Sequence, residues 1–343
     1  MKTNDKKAYL GITFSGIKKE GTRLGLAVGK VAGINGQQND FDDLPIYKEI
    51  VPMVNKDGEK AIRIPSFYLK HTVTKNGKET WCISKNKIDS EYEKVNSFLF
   101  GAYEASVQFG MFYSLSGQKV ANRIPVNDAF EIIKKRGDAF FTPMYQRGII
   151  AILMAIEFGT RDLQTVFKGL TDNYYRDIEN IPTGECDNLK GSSSTSNNVI
   201  DGCASFSYRG IENLYGRYWE VLSDGIIDND GIHVLNQKGK EVVLKNFKFC
   251  GWPKRMAVIK GLPGILIGTG KNVGYDNGYS DYQDFNNYGT KCFMLGGGAC
   301  GDGGSDGPFS FCCSDGWSDS SWSCGFRLSY REVQGDTSLW RKA

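Results

Sequence analysis

The segment from residue 296 to 325 constrains the fold most, because its thirty residues are only Gly, Ser, Asp, Cys, Phe, Trp, Ala and Pro. Such a composition cannot form an amphipathic helix or build a core of its own. A disordered Gly/Ser tail has the same composition, but four large aromatic residues interrupt this segment and strand-like sequence, FML and GFRLSY, encloses it. Because glycine permits unusual backbone angles and binding residues concentrate on loops, the pattern favours an ordered, displayed binding surface.

The 343-residue chain as a whole has the composition of a globular protein rich in strands and loops, with 40% apolar residues, 13% aromatic residues and 42 glycines. A net charge of +3 without long basic runs gives no electrostatic footprint for nucleic acid. The amino-terminal residues lack the apolar core of a signal peptide, and no run reaches the ~18 apolar residues of a membrane span. These features predict synthesis in a cytoplasm and no membrane insertion.

Five of the nine cysteines, Cys292, Cys300, Cys312, Cys313 and Cys324, lie at the carboxyl-terminal end of the chain. Zinc sites need paired Cys-x-x-Cys spacing or nearby histidines, and the two histidines are far away in sequence. The pattern therefore predicts no metal site. Free thiols are the expected state, with one disulfide as the alternative.

Local patterns predict a mostly-β region over residues 1–95 and a second domain over residues 96–343. In the first region, Asn76-Gly77 predicts a hairpin with strands near 67–74 and 79–84. This region is expected to attach the protein to a larger assembly or to form an oligomer. The second domain is predicted to be α+β, with two main helices, short strands and long loops.

The two helices are predicted from apolar periodicity and from terminal signals. One covers 129–137 and ends at Gly137, and the other starts at Pro143 with Thr142 as N-cap and is buried along 149–156. The polar stretch 181–203 has no periodicity and is predicted to be an exposed loop. Around the aromatic cluster that follows, Glu212 and Arg217 are expected to satisfy buried backbone groups.

Motifs for catalysis are weak. The segment GILIGTGKN at 264–272 lacks the phosphate-loop spacing, and neither His71 nor His233 accompanies a nucleophile motif. The acidic residues Asp302, Asp306, Asp315 and Asp319 do not follow the ligand ladder of a calcium loop. No catalytic residue and no cofactor is predicted.

Recognition of a ligand is the function that the carboxyl-terminal segment favours. Trp and Phe supply contact area at low entropic cost, and Ser, Asp and Gly supply adaptable hydrogen bonds. The predicted ligand-binding residues are Ala299, Cys300, Asp302, Ser305, Asp306, Phe309, Ser310, Phe311, Cys312, Cys313, Asp315, Trp317, Asp319, Ser320, Trp322 and Cys324.

The same segment, LGGGACGDGGSDGPFSF followed by WSDSSWSCGFRLSYR, resembles the variable segment of proteins diversified by retroelements. The pieces FGAYEAS, QRGIIAILMAIEFGTRDLQ and YRGIENLYGRYWEVLSDG are similar to parts of phage tail proteins, so the resemblance covers about residues 61–331. It implies a C-type lectin fold of the formylglycine-generating-enzyme type. It also implies a variable surface at 296–325, as in phage tail-fibre receptor-binding proteins of the major-tropism-determinant type.

Further expectations follow from this resemblance alone. Random replacement of adenines in asparagine-type codons excludes Lys, Glu, Gln, Met and Trp from varied positions, so the loop cysteines would be chance outcomes and Trp317 and Trp322 fixed anchors. The protein would reside on the virion, at the tail fibre or tail tip. Its partners would be a host cell-surface protein or glycan and other phage tail proteins, and a homo-oligomer such as a trimer is expected.

Two alternatives remain at the level of sequence. One is a metal-dependent oxidoreductase of the formylglycine-generating type, although no redox cysteine pair can be placed and two distant histidines do not make the histidine cluster of iron-binding relatives. The other is a bacterial surface-displayed variable protein, which the missing signal peptide disfavours.

Overall fold

The fold is mostly β-sheet. A computed structural model describes residues 9–16, 19–25, 40–171, 178–285, 292–298, 305–313, 316, 318–332 and 340–343. Strands account for 39% of the structure and helices for 12%, with two α-helices in the described residues. The predicted α+β class, a C-type lectin fold built on two main helices, is therefore wrong. Polar and glycine-rich segments without periodicity enter sheets, because ladder hydrogen bonds use the backbone and not the side chains.

The described strands are numbered β1 to β25 in chain order. The first twelve are β1 Tyr9–Phe14, β2 Thr22–Gly25, β3 Val51–Asn55, β4 Lys60–Ile64, β5 Phe67–Val73, β6 Glu79–Ser84, β7 Glu93–Val95, β8 Phe98–Glu104, β9 Ser106–Gln108, β10 Met111–Tyr113, β11 Ala139–Phe141 and β12 Ser193–Thr195. The others are β13 Phe206–Tyr208, β14 Ile211–Glu212, β15 Trp219–Asp228, β16 Gly231–Leu235, β17 Glu241–Leu244, β18 Cys250–Gly251, β19 Pro253–Met256, β20 Gly268–Asn272, β21 Gln283–Asp284, β22 Cys292–Gly296, β23 Phe311–Cys312, β24 Cys324–Tyr330 and β25 Trp340–Lys342.

The amino-terminal sheet has the strand order β2-β1-β6-β5-β7 and is antiparallel throughout. Its centre is the hairpin that Asn76-Gly77 predicts, with β5 paired to β6 in the register Val73 opposite Glu79. This prediction is confirmed. Gly77 has a φ of 82°, which a turn of this kind requires of one of its central residues.

The central sheet has the strand order β18-β21-β23-β22-β15-β24-β8-β4-β3-β25. Strand β24 lies in its middle, parallel to β15 and antiparallel to β8, and β11 also pairs with it. All seven residues of β24 are buried. Strands β16 and β17 extend the sheet from the far end of β15.

The two α-helices are α1, Val126–Ile133, and α2, Met144–Phe158. Both were predicted, but the N-cap of α2 is Pro143 and not Thr142, whose hydroxyl instead contacts Arg327 O and Ser329 Oγ. The carboxylate of Asp224 accepts a hydrogen bond of 2.7 Å from the Met144 N–H, so a distant strand satisfies the start of the helix. Helix α2 ends at Gly159, which has a φ of 75°. Neither helix is long and apolar enough to span a membrane.

The hydrophobic core crosses the domain boundary that the sequence predicts at residue 95. One buried cluster contains Leu10 and Ile12 of the amino-terminal sheet together with helix α2 and Phe311. The buried carboxylate of Glu79 joins the same parts, because it accepts hydrogen bonds from the Tyr279 hydroxyl at 3.0 Å and from the Met256 N–H at 3.0 Å. Strands β3 and β4, inside the range 1–95, belong to the central sheet.

The polar stretch 181–203 is only partly the exposed loop that its sequence predicts. It contains β12, which pairs with β13, and Ser193 and Ser194 are buried there. The predicted roles of Glu212 and Arg217 are confirmed. Glu212 accepts hydrogen bonds from the N–H groups of Gly184 and Cys186, and Arg217 donates to the carbonyls of Ile178 and Ile181.

The close contact between helix α2 and the 262–266 segment yields a first prediction. The Gly264 carbonyl oxygen occupies the space that a Cβ on Gly148 would need. Alanine favours a helix by about 1 kcal/mol over glycine, but overpacking costs about 1–3 kcal/mol. We expect Gly148→Ala to lower the free energy of unfolding, measured by urea denaturation.

Gly137 is the matched control for this substitution. No described atom lies within 4 Å of a Cβ placed there, and its φ is not positive. Gly137→Ala should stabilise the protein by about 0.4–1 kcal/mol, because it restricts the unfolded chain. A gain in stability from Gly148→Ala would contradict the packing described for α2.

Candidate functional site

One end of the central sheet collects the segments that the sequence singles out. A single row of paired residues crosses six strands there: Gly251, Gln283, Phe311, Gly296, Glu220 and Gly325. At this row β22 ends, whereas β15, β21, β23 and β24 begin near it. The chain on either side of residues 296–325 therefore returns to the same place.

We call this end of the sheet the loop edge and define it as residues 219, 252, 282, 297, 298, 305–310 and 323. Backbone hydrogen bonds connect its parts: Tyr282 N–H to Ser305 O at 3.0 Å, Gly297 N–H to Ser310 O at 3.0 Å, and Trp219 N–H to Ser323 O at 2.8 Å. The described residues of the loop edge are thus attached to the sheet and do not form an appended tail.

Buried charges lie directly below the loop edge. Glu220 binds two guanidinium groups, that of Arg147 through Oε2 and that of Arg327 through Oε1 at 2.7 Å. All three residues are at most 1% exposed. Arg327 also donates to the carbonyls of Gly101, Ala102, Glu212 and Asn213 at 2.7–3.1 Å. Each guanidinium of this triad therefore contacts one oxygen of the shared carboxylate.

The glycines at the start of the variable segment are explained by these charges. A Cβ on Gly297 would collide with the Arg147 guanidinium, and one on Gly298 would collide with the Asp306 carboxylate. Both glycines also have a positive φ, 90° and 65°. Glycine is thus required here for close packing against buried polar groups as well as for backbone conformation.

The strands beside the loop edge present an exposed face, which we call the edge patch: Cys250, Trp252, Tyr282, Asp284, Ser305 and Cys312. Each of these six is partly or fully exposed, whereas the alternate residues Gly251, Gln283 and Phe311 are buried. This alternation is the two-residue period of a sheet with one covered face. Cys250, Asp284 and Cys312 stand opposite one another on β18, β21 and β23.

Side-chain contacts fix the aromatic part of the edge patch. The rings of Trp252 and Tyr282 meet edge to face, with centroids 5.0 Å apart at 79°. Trp252 Nε1 lies 3.3 Å from Ser305 Oγ, and Cys250 Sγ lies 2.9 Å from the Tyr282 hydroxyl. The patch therefore combines a held aromatic pair with a thiol, a hydroxyl and a carboxylate.

Several predicted ligand-binding residues do not face outward. Asp306, Phe309, Ser310, Phe311, Cys313 and Cys324 are each at most 5% exposed. Phe309 and Phe311 belong to the main core cluster, and the Phe309 ring packs against Tyr279 with centroids 4.9 Å apart. The expected outward orientation is therefore wrong for these six side chains, because residues 306–311 pack into the protein without alternation and Cys324 begins the fully buried strand β24.

The other predicted residues fall into two groups. Ser305, Cys312, Asp319, Ser320 and Trp322 are at least partly exposed. Trp322 packs beside the cluster of Val120, Ile178 and Tyr218, and Asn122 Nδ2 donates to its carbonyl at 3.1 Å. Ala299, Cys300, Asp302, Asp315 and Trp317 lie outside the described residues. Cys82, Cys186, Cys203 and Cys250 carry free thiols, as predicted.

Four residues of the edge patch were not predicted from sequence: Cys250, Trp252, Tyr282 and Asp284. For Tyr282 and Asp284 a signal was present, because 271–291 is a second Gly/Tyr/Asp-rich segment directly before the variable one. Its role depends on the pairing of β21 with β23, which no local pattern specifies.

In comparisons with known proteins, no family model and no curated protein matches the sequence.

Asp281 holds the 305–310 segment from below. This fully buried carboxylate accepts hydrogen bonds from the Phe309 N–H at 2.7 Å and from the Ser280 hydroxyl at 3.4 Å. Burial raises the pKa of Asp281 to about 8, and the charge of Asp162 adds to this effect while the Phe309 bond opposes it. Asp281 is therefore largely protonated at neutral pH.

This shift predicts that the protein loses stability as the pH rises. In the unfolded chain the pKa of Asp281 is about 3.9. Between about pH 4 and pH 8 only the folded state keeps the proton, so the free energy of unfolding falls across this window and the loss is complete above pH 8. Asp281→Asn should flatten this part of the profile, measured by urea denaturation at a series of pH values.

Asp224 supplies a matched control, because it changes the free energy of unfolding over a narrower range of pH. Burial raises its pKa to about 6, against the hydrogen bonds from the N–H groups of Leu235 and Met144. Asp224→Asn should therefore flatten the profile up to about pH 6 and leave the slope between pH 6 and pH 8 as it is. Equal slopes for wild type and Asp281→Asn between pH 6 and pH 8 would contradict the assignment.

Proposed function

We propose that this chain is a ligand-binding protein and not an enzyme, and that the edge patch and the partly exposed residues of the loop edge form its recognition surface. The observation that carries the proposal is the edge patch itself: a partly exposed Trp252–Tyr282 pair, continuous with the Gly/Ser/Asp-rich segment and held on a buried sheet. Tyr and Trp are the residues that contribute most to protein interfaces.

The rigidity below the surface supports the same function. The alternate residues of β21 and β23 are locked, since Gln283 donates to Phe309 O at 2.8 Å and accepts from the Gly268 N–H at 2.6 Å. A ligand that binds to such a surface orders few protein groups, so less of its interaction energy is lost. Adaptable hydrogen bonds come from the partly exposed Ser305 and the exposed Asp319 and Ser320.

The resemblance of residues 61–331 to retroelement-diversified proteins extends this proposal to a biological setting. In that setting the protein is a receptor-binding component of a phage tail fibre or tail tip, located on the virion and attached to other tail proteins. Its ligand is a host cell-surface protein or glycan. A homo-oligomer such as a trimer would raise a modest affinity per site through multivalent attachment.

Replacement of the aromatic pair tests the recognition surface. We expect the double variant Trp252→Ala and Tyr282→Ala to lose about 10-fold or more in affinity for cells, since such residues dominate interfaces. A panel of bacterial strains is first screened for binding of the labelled wild-type protein by flow cytometry. The variant is then compared with wild type on the strains that wild type binds. Circular dichroism verifies that the variant is folded.

Phe109→Ala is the matched control. Phe109 is another large aromatic residue, 98% exposed, in the turn between β9 and β10 and outside the edge patch. Its removal should leave cell binding unchanged. If the folded double variant bound cells as tightly as wild type, the edge patch would not be the recognition surface.

Diversification makes a separate prediction about natural variation. Genomes that encode this chain should carry, beside a reverse transcriptase, a near-copy of the codons for 296–328 that differs mainly at adenines. Among the described positions, we expect sequences from a diversified population to vary at exposed Ser305 and Cys312 and to keep Phe309 and Phe311, whose side chains form core. Variation concentrated at the buried positions would argue against this mechanism.

A further inference from the structure

A pocket lies on the molecule away from the loop edge. It has a volume of about 270 Å³, and strands β3, β4, β8, β12 and β13 and the 186–192 segment form it. The residues on which the argument rests are Lys60, Tyr103, Asp187, Ser194, Ser207 and Arg209. The pocket shares no lining residue with the loop edge or the edge patch.

Two serine side chains that line this pocket have no hydrogen-bond partner among the described residues. Ser194 and Ser207 stand opposite each other on β12 and β13, and both line the pocket. They are 3% and 8% exposed, and neither side chain forms a hydrogen bond with any residue that the structure describes. Because both residues line the pocket, their hydroxyls are available to form hydrogen bonds with a polar ligand.

The wall of the pocket holds fixed charges. Asp187 accepts hydrogen bonds from the Ser116 hydroxyl at 2.5 Å, from the Tyr103 hydroxyl, and from Lys60 Nζ at 3.2 Å. Burial acts to raise the pKa of Asp187, but the Ser116 and Tyr103 bonds and the charge of Lys60 hold it below its ordinary value. An ionised carboxylate therefore faces a lysine at the pocket rim.

The charges that line the pocket balance one another. The cations Lys60 and Arg209 are matched by the carboxylates of Asp187 and Glu212, and Arg209 is held from behind by Glu157 at 2.7 Å and 2.8 Å. A charged ligand would thus lose the hydration of its charge on entry and find no unpaired opposite charge in the lining. The lining favours a ligand that is polar and neutral.

We propose that this pocket binds a neutral hexose. A hydroxyl donates one hydrogen bond and accepts two, so the facing serines match the alternating donors and acceptors of sugar hydroxyls. Ile50 and Pro52 add apolar surface to the same pocket, against which the C–H groups of a sugar ring pack. This site is distinct from the proposed recognition surface and does not depend on it.

Binding is tested with the intact protein and a panel of monosaccharides by isothermal titration calorimetry. The panel contains D-glucose, D-galactose, D-mannose and N-acetyl-D-glucosamine, with D-glucuronate and D-glucosamine as charged counterparts. We expect saturable binding of at least one neutral sugar with a Kd of about 1 mM or lower. The charged counterparts should bind about 10-fold more weakly, because the pocket has no unpaired charge for them.

Serine substitutions locate the site. Ser194→Ala and Ser207→Ala should each weaken hexose binding about 3- to 10-fold, since each removes a hydroxyl that binds the sugar. Neither hydroxyl bonds to a described residue, so both variants should keep the wild-type thermal midpoint. Ser193→Ala is the matched control: its hydroxyl is also buried without a partner, but it does not line the pocket.

Three results would overturn the proposal. They are no saturable binding of any neutral hexose to wild type, unchanged affinity in the Ser194→Ala, Ser207→Ala double variant, or equal loss in Ser193→Ala. Tighter binding of a charged counterpart would overturn the assignment to neutral sugars. The Trp252→Ala, Tyr282→Ala protein should retain full hexose affinity, which separates failure at this pocket from failure at the recognition surface.

Discussion

The contact on which the rest of the structure depends is the buried triad of Arg147, Glu220 and Arg327. It joins helix α2, strand β15 and strand β24, which lie far apart in the sequence and together form the centre of the molecule. Removing one partner of a buried ion pair costs about 3–5 kcal/mol, because the remaining charge is left without compensation. The triad therefore specifies one arrangement of these three elements and disfavours alternatives.

Buried charged groups, Arg147 of the triad among them, also require glycine at the start of the glycine-rich segment. The Arg147 guanidinium fills the space beside Gly296 and Gly297, and the Asp306 carboxylate fills the space beside Gly298. A segment that appears from composition to be flexible is thus close-packed at its start. The buried Phe309 and Phe311 extend this packing into the main core, so much of the described segment supports the surface without forming it.

Sequence reasoning succeeded where local chemistry determines the outcome. The Asn76-Gly77 hairpin, the apolar helix α2 and the roles of Glu212 and Arg217 follow from turn geometry, periodicity and the need to satisfy buried backbone groups. It failed where pairing is non-local. The adjacency of β15 and β24 and the burial of Phe311 in β23 depend on partners far away in the sequence, and a Gly/Ser/Asp composition carries no period that would reveal them.

In β21 and β23, neighbouring residues have different roles: one side chain packs inward below the loop and the next is exposed at the surface. Gln283 and Phe311 point inward and hold the loop from below, whereas Asp284 and Cys312, one residue later in each strand, point outward. A change at an outward position alters the exposed chemistry and leaves the inward contacts as they are. A surface of this kind tolerates substitution only at alternate positions. The pairing of the strands, and not the composition of the segment, therefore determines which residues can change to bind a new ligand.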